Sequence, residues 1–289
     1  MIETFGSRLR TYASFVRVSH TVFALPFALV GAVLAARTYP LTWGRVAWIV
    51  AAMLTARSAA MGFNRLVDAR YDALNPRTAT RELPRGAMSR GEAILFVIVS
   101  SALFVFCAHQ LGRVTFLLSP LALAIVFWYS LAKRVTSYTQ LFLGLAMAVA
   151  PVGGWLAAGG PIEAAEPWLL ALAIGTWVGG FDVLYACQDL DFDRAHGLRS
   201  MPVRFGVRQS LMISRAMHVI TVAALAAVGV VASLGPLYAA GVAGVAVLLV
   251  WEQSLVAEHD LSQVKRAFDM NGYVGILYMV MTLAAVYVG

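Results

Sequence analysis

The chain has 289 residues, of which 60% are hydrophobic and only 13% are charged, and its formal net charge is +7 at pH 7. With a mean hydropathy of +0.76, this composition excludes an ordinary soluble protein and any large soluble domain. The positive charge does not indicate a nucleic-acid partner, because the basic residues are scattered among short segments between apolar runs. The two cysteines, Cys107 and Cys187, have no metal-ligand spacing and are expected to be ordinary core residues.

Repeated apolar runs of about 20 residues each predict an all-α, polytopic membrane protein with a single transmembrane domain over residues 1–289. We expect a bundle of nine helices around a central cavity that opens to the cytoplasmic side. The predicted spans are, in chain order, 20–36, 45–63, 91–109, 114–132, 138–158, 167–187, 210–233, 236–256 and 273–289. The segment 258–272 has scattered charges and is predicted to be a solvated loop without a site role.

The distribution of Lys and Arg predicts the orientation of the bundle. If the N-terminus is cytoplasmic, 18 of the 22 basic residues lie in cytoplasmic segments, whereas Arg37, Arg45 and Arg113 lie outside and Arg57 falls within a span. The N-terminal segment has no signal-peptide pattern, so the apolar run from Thr21 is interpreted as a retained first span. We therefore predict an inner-membrane protein with a cytoplasmic N-terminus and an external C-terminus.

A strongly polar helix face follows the second predicted span. In NRLVDARYD, Asn64, Asp68 and Asp72 recur every four residues, so a continuing helix would project all three from one face. Asp189 and Asp193 repeat this spacing in YACQDLDFD, where the sixth predicted span ends. Both copies fall on the predicted cytoplasmic side, four spans apart, which suggests an internal repeat and one shared site.

Carboxylates spaced by four residues in two facing copies are suited to hard divalent cations. Mg²⁺ prefers oxygen ligands, keeps several waters and is commonly completed by phosphate oxygens of a substrate. The sequence therefore predicts two Mg²⁺ ions that bridge the carboxylates to a diphosphate. Either copy taken alone could equally cap or solvate a helix end. The predicted metal ligands are Asn64, Asp68, Asp72, Asp189 and Asp193.

Charged and phenolic residues near these carboxylates are candidates for substrate contacts. Arg57 lies seven residues before Asn64 and so about 10 Å deeper on the same helical face. A charge at that depth is costly and indicates a functional role, the alternative being a structural ion pair with Asp182 or another carboxylate. In YSLAKR, Tyr129 and Lys133 share a helical face and could donate to phosphate oxygens together. The remaining basic candidates could neutralise a diphosphate or simply serve as topology signals.

The candidate residues divide into two sets. The predicted catalytic residues are Asp68, Asp72, Asp189, Asp193, Lys133 and Tyr129. The predicted substrate-binding residues are Arg57, Asn64, Arg70, Arg77, Arg81, Arg134, Tyr185 and Asp191. Asp191 lies two residues from each neighbouring Asp, so it should point elsewhere or lie behind the ligands. His20, before the first span, could accept a proton but could equally be structural.

At these residues the chain resembles the UbiA superfamily of intramembrane prenyltransferases. The segments that carry the resemblance are RSAAMGFNRLVDARYD at 57–72, RTATRELPRG at 77–86, YSLAKR at 129–134 and DVLYACQDLDFDRAHGLRSMPVRFG at 182–206. The resemblance implies nine spans and two Asp-rich motifs that bind Mg²⁺ with an isoprenyl diphosphate. It also implies that Tyr129, Lys133 and Arg57 line the diphosphate and acceptor pocket.

The resemblance also indicates the reaction, which is transfer of a polyprenyl group from its diphosphate to an aromatic acceptor in quinone biosynthesis. The Arg-Thr-x-x-Arg-x-Leu-Pro pattern at 77–84 looks most like the 4-hydroxybenzoate polyprenyltransferase branch. SHTVFALPFALVG and DARYDALNPRT are also similar to relatives assigned to the futalosine route to menaquinone. The acceptor is therefore either a 4-hydroxybenzoate-like acid or another molecule, such as a naphthoate or a futalosine-route intermediate.

Two other classes of membrane protein share some of these features. A secondary transporter can combine repeats with membrane carboxylates, but its site is expected near mid-depth and not at the ends of the spans. An alcohol phosphotransferase also uses spaced aspartates, but its motif has Gly four residues before an Asp. Here Asn64 and Tyr185 occupy the positions four residues before Asp68 and Asp189. Both alternatives are therefore disfavoured.

Overall fold

The computed structural model describes residues 11–12, 14–16 and 25–288, and His20 lies outside these described residues. The described chain is helical and contains no β-strand. Its helices are α1 (Leu25–Ala35), α2 (Trp43–Leu74), α3 (Arg90–Leu111), α4 (Arg113–Val135), α5 (Thr139–Ala157), α6 (Ala165–Ala186), α7 (Leu190–Ala195), α8 (Met201–Val231), α9 (Pro236–Ser254) and α10 (Val264–Tyr287). A short 3₁₀ turn, Cys187–Asp189, joins α6 to α7.

The helical bundle agrees with the predicted membrane protein. Within the described residues, eight helices are long and apolar enough to cross a membrane, and the 11-residue α1 lies in the first predicted span. α6 is the most enclosed of these spans, with 61% of its apolar window buried, whereas α4 has only 11% buried. α6 packs between α5 and α8, so it forms the centre of the bundle, and the apolar face of α4 is left for lipid.

Local signals explain where several helices begin and end. Ser89 and Glu92 form a reciprocal capping box at the start of α3. Gly112 has φ 140°, which lets the chain turn directly from α3 into α4. α8 contains a break at Gly206, with φ 78° and ψ 168°, so its first residues are offset from the long apolar part. The predicted seventh span, which begins at residue 210, therefore omits the first part of α8.

One prediction about segment boundaries is corrected, and the length of α2 agrees with a helix that continues past the second predicted span. α10 begins at Val264, so the second half of segment 258–272 is helical and not a solvated loop. α2 is 32 residues long and therefore about 48 Å, which exceeds a hydrocarbon core of about 30 Å. Its last three turns project beyond the span and carry the first polar motif.

Cys107 and Cys187 are both buried free thiols, as expected.

We call the end of the bundle where α2 and α6 finish the motif end. At the opposite end, Arg37 donates to the carbonyl of Ala232, and Arg45 Nη1 donates to the carbonyl of Ala158 at 3.0 Å. Ala232 and Ala158 cap the C-termini of α8 and α5, where unpaired carbonyls attract cations. Two of the three basic residues predicted outside thus stabilise helix ends at the side away from the motifs.

Candidate active site

The first motif occupies the last turns of α2, where the regular helix keeps Asn64, Asp68 and Asp72 on one face. The Asn64 amide donates to Asp68 Oδ2 at 3.0 Å. Asp72 is buried, and the Thr78 hydroxyl donates to its backbone carbonyl at 3.0 Å, which helps to close the end of the helix. The helix periodicity alone therefore fixes how these three side chains are arranged relative to one another.

The second motif has a different local structure, because α6 ends three residues before Asp189. Asp189 is the last residue of the 3₁₀ turn, and Asp193 lies in the six-residue α7. The prediction that a regular helix face carries both carboxylates is therefore wrong. The tighter turn rotates the chain so that Asp193 is 1% exposed while Asp191 faces solvent. α7 ends at Ala195, and Gly197, with a φ of 65°, turns the chain towards α8.

Both motifs contribute to one cavity of about 340 Å³ at the motif end. α2 and α6 make almost no direct contact with each other, so the cavity lies between them. Of the predicted site residues, those that line it are Arg57, Asn64, Asp68, Asp72, Arg77, Arg81, Tyr129, Lys133, Arg134, Tyr185, Asp189 and Asp193. The structure thus brings twelve of the fourteen predicted side chains together.

Arg70 and Asp191 are the two predicted residues that do not line the cavity. Both side chains are exposed, although each lies within one of the two motifs. Arg70 is two residues from Asp68 and Asp72, and Asp191 is two residues from Asp189 and Asp193. On a helix, residues two apart do not face the same way. Their prediction as substrate-binding residues is not supported by their position.

Three arginines of the cavity pair with motif carboxylates. Arg81 Nη1 donates to both oxygens of Asp72 at 2.7 and 2.8 Å, and Arg134 Nη2 donates to Asp68 Oδ1 at 2.8 Å. Arg77 Nη2 donates to both oxygens of Asp189 at 3.0 and 2.8 Å. Sequence reasoning assigned these arginines to substrate phosphate, but it did not predict their carboxylate partners. The guanidinium groups neutralise a cluster of like charges that would otherwise repel one another.

Arg77 also connects the two halves of the site. It follows α2 in the chain, yet its Nη1 donates to the Tyr185 hydroxyl at 2.7 Å, and its guanidinium lies 5.5 Å from the centre of that ring. Tyr185 lies on the last turn of α6, four residues before Asp189. The loop after the first motif is thereby attached to the second motif across the cavity mouth.

Lys133 has a central place among the carboxylates. Its ammonium interacts electrostatically with Asp68, Asp182 and Asp193, so it acts on both motifs at once. Tyr129, one turn deeper on α4, is within electrostatic range of Asp182 and Asp68. A phenol and an ammonium on one helix face can donate to the same anionic ligand. Tyr129 and Lys133 thus lie on one helix face, as the YSLAKR sequence predicted. Their role as donors to a diphosphate stays a prediction.

Sequence reasoning missed several residues of the cavity wall. Asp182 was considered only as a partner of Arg57, but it lines the cavity itself. Phe268 of α10 also lines it, so segment 258–272 contributes to the site after all. Phe268 packs against Phe181 and Tyr185, with ring centroids 5.6 and 4.9 Å apart. No motif signal marks Phe268, because only the packing of α10 against α6 brings it to the cavity.

The oxygen atoms of the cavity are suitable ligands for magnesium, but too few of those in the described residues lie together to hold an ion without other ligands. Its carboxylates supply only oxygen ligands, and Asp193 Oδ2 is buried without a hydrogen-bond partner among the described residues. Within the described part of the chain, no three His, Cys, Asp or Glu side chains lie close enough together to hold a metal ion by themselves. The arrangement is thus compatible with ions held by one or two carboxylates each, with waters and substrate oxygens completing the coordination.

Comparisons with known proteins agree on one family. Residues 24–280 match the UbiA prenyltransferase family. The 4-hydroxybenzoate octaprenyltransferase of Cronobacter sakazakii is 32% identical over 242 residues, which cover 81% of each chain.

Solved structures give the same result. The apo structure of a UbiA homolog from Aeropyrum pernix K1 is 37% identical, has a TM-score of 0.84, and the match covers 92% of this chain and 98% of that one. A UbiA homolog from Archaeoglobus fulgidus, bound to GPP and Mg²⁺, shares the fold with a TM-score of 0.76 at 20% identity, covering 96% and 99% of the two chains. The protein is a multi-pass membrane protein that belongs to the UbiA prenyltransferase family.

Proposed function

We propose that this protein transfers a polyprenyl group from a polyprenyl diphosphate to a 4-hydroxybenzoate-like aromatic acid in quinone biosynthesis. The observation that carries the proposal is the convergence of two carboxylate segments from α2 and α6–α7 on one cavity that also contains cations and apolar side chains. The matched relative from Cronobacter sakazakii is a 4-hydroxybenzoate octaprenyltransferase. A naphthoate or a futalosine-route intermediate is the alternative acceptor.

The residues that would hold Mg²⁺ are Asn64, Asp68, Asp72, Asp189 and Asp193. When bound, the metal would supply positive charge to the diphosphate and so favour its departure. We propose two ions, because the carboxylates form two separate groups on α2 and on α6–α7. The Archaeoglobus fulgidus homolog bound to GPP and Mg²⁺ supports the type of ligand.

The protein's own cations act on the leaving group. Lys133 lines the same cavity as both carboxylate segments, so its ammonium can donate to diphosphate oxygens as negative charge develops on them. Tyr129 can donate from the same helix face. The side chains of Arg77 and Arg81 line the cavity, and each guanidinium group carries further N–H donors beyond those used on Asp189 and Asp72.

The bond changes follow from this arrangement. The C1–O bond of the prenyl diphosphate breaks, its electron pair leaves with the diphosphate, and an allylic cation remains. The aromatic faces of Phe181 and Phe268 line the same cavity and can stabilise this cation. A ring carbon ortho to the acceptor's hydroxyl then attacks C1, and a nearby base takes the ring proton, which restores aromaticity. The surrounding apolar wall excludes water, which would otherwise capture the cation.

The proposal includes the orientation of the protein. The motif end would face the cytoplasm, because the segments at that end carry most of the basic residues. The N-terminus would be cytoplasmic, the C-terminus external, and the location the inner membrane.

A direct test is to incubate membranes containing the protein with Mg²⁺, geranyl diphosphate and a panel of phenolic and naphthoic acids, followed by mass spectrometry of the products. We expect a product whose mass equals that of 4-hydroxybenzoate plus one geranyl group less one hydrogen. Addition of EDTA should abolish its formation. Absence of any prenylated acid in Mg²⁺-containing samples would contradict the proposal.

A further inference from the structure

The described N-terminal residues 11–12 and 14–16, which we call the N-terminal segment, lie against the loop that follows the first motif. The amide of Val16 donates to the carbonyl of Tyr12 at 3.2 Å, so the segment makes one helical turn. Tyr12, Phe15 and Val16 share a face of this turn, because residues three and four apart on a helix are neighbours. This apolar face packs on the rest of the protein.

Phe15 is at the centre of this contact. Its side chain is 0% exposed and forms a buried cluster with Met88 of the α2–α3 loop (residues 75–89). The Phe15 ring meets the Phe96 ring of α3 edge to face, with centroids 5.7 Å apart. A Cβ at Gly62 of α2 would lie 3.4 Å from Phe15 Cε1. The ring is therefore enclosed by α2, α3 and the loop that joins them, in a small core separate from the main core of the bundle.

A polar contact joins the same two segments. The Ser14 hydroxyl donates to Glu82 Oε1 at 2.5 Å, although 68 residues separate them in the chain. Glu82 is buried, and its backbone carbonyl accepts from the amides of Ala87 and Met88 at 2.9 and 3.3 Å. Glu82 thus closes a turn of the α2–α3 loop, and the N-terminal segment binds the residue that closes it.

The residue before Glu82 belongs to the candidate active site. Arg81 lines the cavity and donates to both oxygens of Asp72 at 2.7 and 2.8 Å. Arg77, earlier in the same loop, pairs with Asp189. The loop contains no regular helix or strand of its own, so the positions of both arginines depend on what the loop packs against. The contacts with the N-terminal segment follow these arginines directly in the chain.

We propose that Phe15 and Ser14 are positioning residues for the diphosphate end of the site, which act by fixing the α2–α3 loop and, through it, the guanidinium group of Arg81. This inference rests on the proposed prenyl transfer. Neither Phe15 nor Ser14 lines the cavity, so neither contacts a substrate there. Their effect is therefore confined to binding of the prenyl diphosphate.

Prenyl-transfer kinetics separate positioning from a general loss of structure. Phe15→Ala should raise the KM for geranyl diphosphate about 10-fold and keep the KM for 4-hydroxybenzoate within about twofold, because a displaced loop weakens a charged hydrogen bond to the diphosphate. A general loss of folded protein would instead lower the maximal rate and leave both KM values unchanged. Phe15→Leu retains an apolar side chain and should show the same change at about threefold. It is the test variant if Phe15→Ala does not fold, and Ser14→Ala should also remain within about threefold. An unchanged KM for geranyl diphosphate in both Phe15 variants would overturn the inference.

A double variant tests whether the effect passes through Arg81. Arg81→Gln by itself should raise the KM for geranyl diphosphate. Adding Phe15→Ala to it should raise this KM by less than about twofold more, because residues that act as one unit are not additive. A rise of about 10-fold in both backgrounds would show that Phe15 acts independently of Arg81 and would overturn the proposed route.

The matched control is Tyr238→Ala, which removes another buried ring. Tyr238 lies near the start of α9, at the end of the bundle away from the motifs, and does not line the cavity. This variant should keep both KM values within about twofold of the wild-type values. A selective rise in the KM for geranyl diphosphate in Tyr238→Ala would mean that loss of any buried ring produces the effect, which would contradict the assignment to Phe15.

Hydrogen exchange gives a readout that needs no catalysis. The backbone amides of residues 78–88 should exchange at least about 10-fold faster in Phe15→Ala than in the wild-type protein, whereas Tyr238→Ala should leave them unchanged. Equal exchange in Phe15→Ala and the wild type would overturn the inference. Failure of the proposed function has a different signature, in which the wild-type protein prenylates no aromatic acid while the exchange of the loop still responds to Phe15→Ala.

Discussion

The two carboxylate segments reach the same cavity through different local structures. Asn64, Asp68 and Asp72 lie on an unbroken helix that continues past the span, whereas Asp189 and Asp193 lie on a 3₁₀ turn and a short helix. Equal spacing in sequence therefore does not mean equal geometry. The first segment depends on the periodicity of α2. The second depends on how α6 packs and on where its helix ends.

The two segments also differ in how their charges are balanced. Arg81 follows α2 in the chain and pairs with Asp72 of the same segment, and Arg134 reaches Asp68 from α4. Among the described residues, the salt bridge of Asp189 in the second segment is with Arg77, which is a residue of the first half. The ion pair of the second segment is therefore made by one exposed arginine, while the first segment has ion-pair partners from its own loop and from α4.

Removal of one carboxylate from either segment is expected to have the largest effect. Asp68→Asn and Asp189→Asn should each lower kcat by about 10²- to 10³-fold, because the site loses charge that is needed when the diphosphate leaves. The measurement is prenyl-transfer kinetics in membranes with matched protein levels. If the two segments act as one site, the two losses should be similar in size. Wild-type turnover in both variants would refute the shared site.

The close packing of α5 against α6 offers a way to test what holds the helix that leads to the second segment. Gly144 of α5 lies against the backbone of α6, and a Cβ at Gly144 would overlap the carbonyl oxygen of Gly175. Gly144→Ala should lower the free energy of unfolding by about 1–3 kcal/mol, since the two helices must separate. Thermal unfolding in detergent measures this change.

The control for this variant lies on the same helix. A Cβ at Gly153 would have no atom within 4 Å, so Gly153→Ala should be neutral or slightly stabilising. Equal unfolding temperatures for the two variants would show that close contact between α5 and α6 does not position the second segment.

The contacts of Arg77 that join the two segments are expected to contribute less to the free energy of unfolding. Arg77→Gln removes the contacts to Asp189 and Tyr185, but the Arg77 side chain is 43% exposed, so solvent screens the pair. We expect a loss of less than about 1 kcal/mol in the free energy of unfolding, and a smaller loss at high salt. Arg85→Gln, an exposed residue of the same loop, is the control. A loss above about 3 kcal/mol would mean that the bridge is a main structural contact.

The smallest effects are expected at the motif residues that face solvent. Arg70→Gln and Asp191→Asn should keep kcat/KM within about twofold of the wild-type value, because neither side chain lines the cavity and surface changes are usually near neutral. Steady-state kinetics with both substrates measures this. A decrease above about 10-fold would restore these residues to the site as first predicted.

The sequence by itself determined the membrane class, the approximate positions of the spans and the helical face of the first motif, although α8 and α10 begin nine residues before the predicted spans. These features depend on local properties, namely the length of apolar runs and the 3.6-residue period that keeps Asn64, Asp68 and Asp72 on one face. It also identified most of the charged residues of the cavity. A charged residue within or beside an apolar span is energetically costly and is therefore a candidate for a functional site.

Only the tertiary structure decided which of these residues meet. The pairing of Arg77 with Asp189 and the presence of Phe268 in the wall both join segments that are far apart in the chain. The break after α6, which turns Asp193 inward and Asp191 outward, was hidden by a spacing that looks helical. The sequence offered Asp182 as one possible ion-pair partner of Arg57, but no such pair occurs among the described residues, and both side chains line the cavity. Such features depend on packing between helices, which no local pattern encodes.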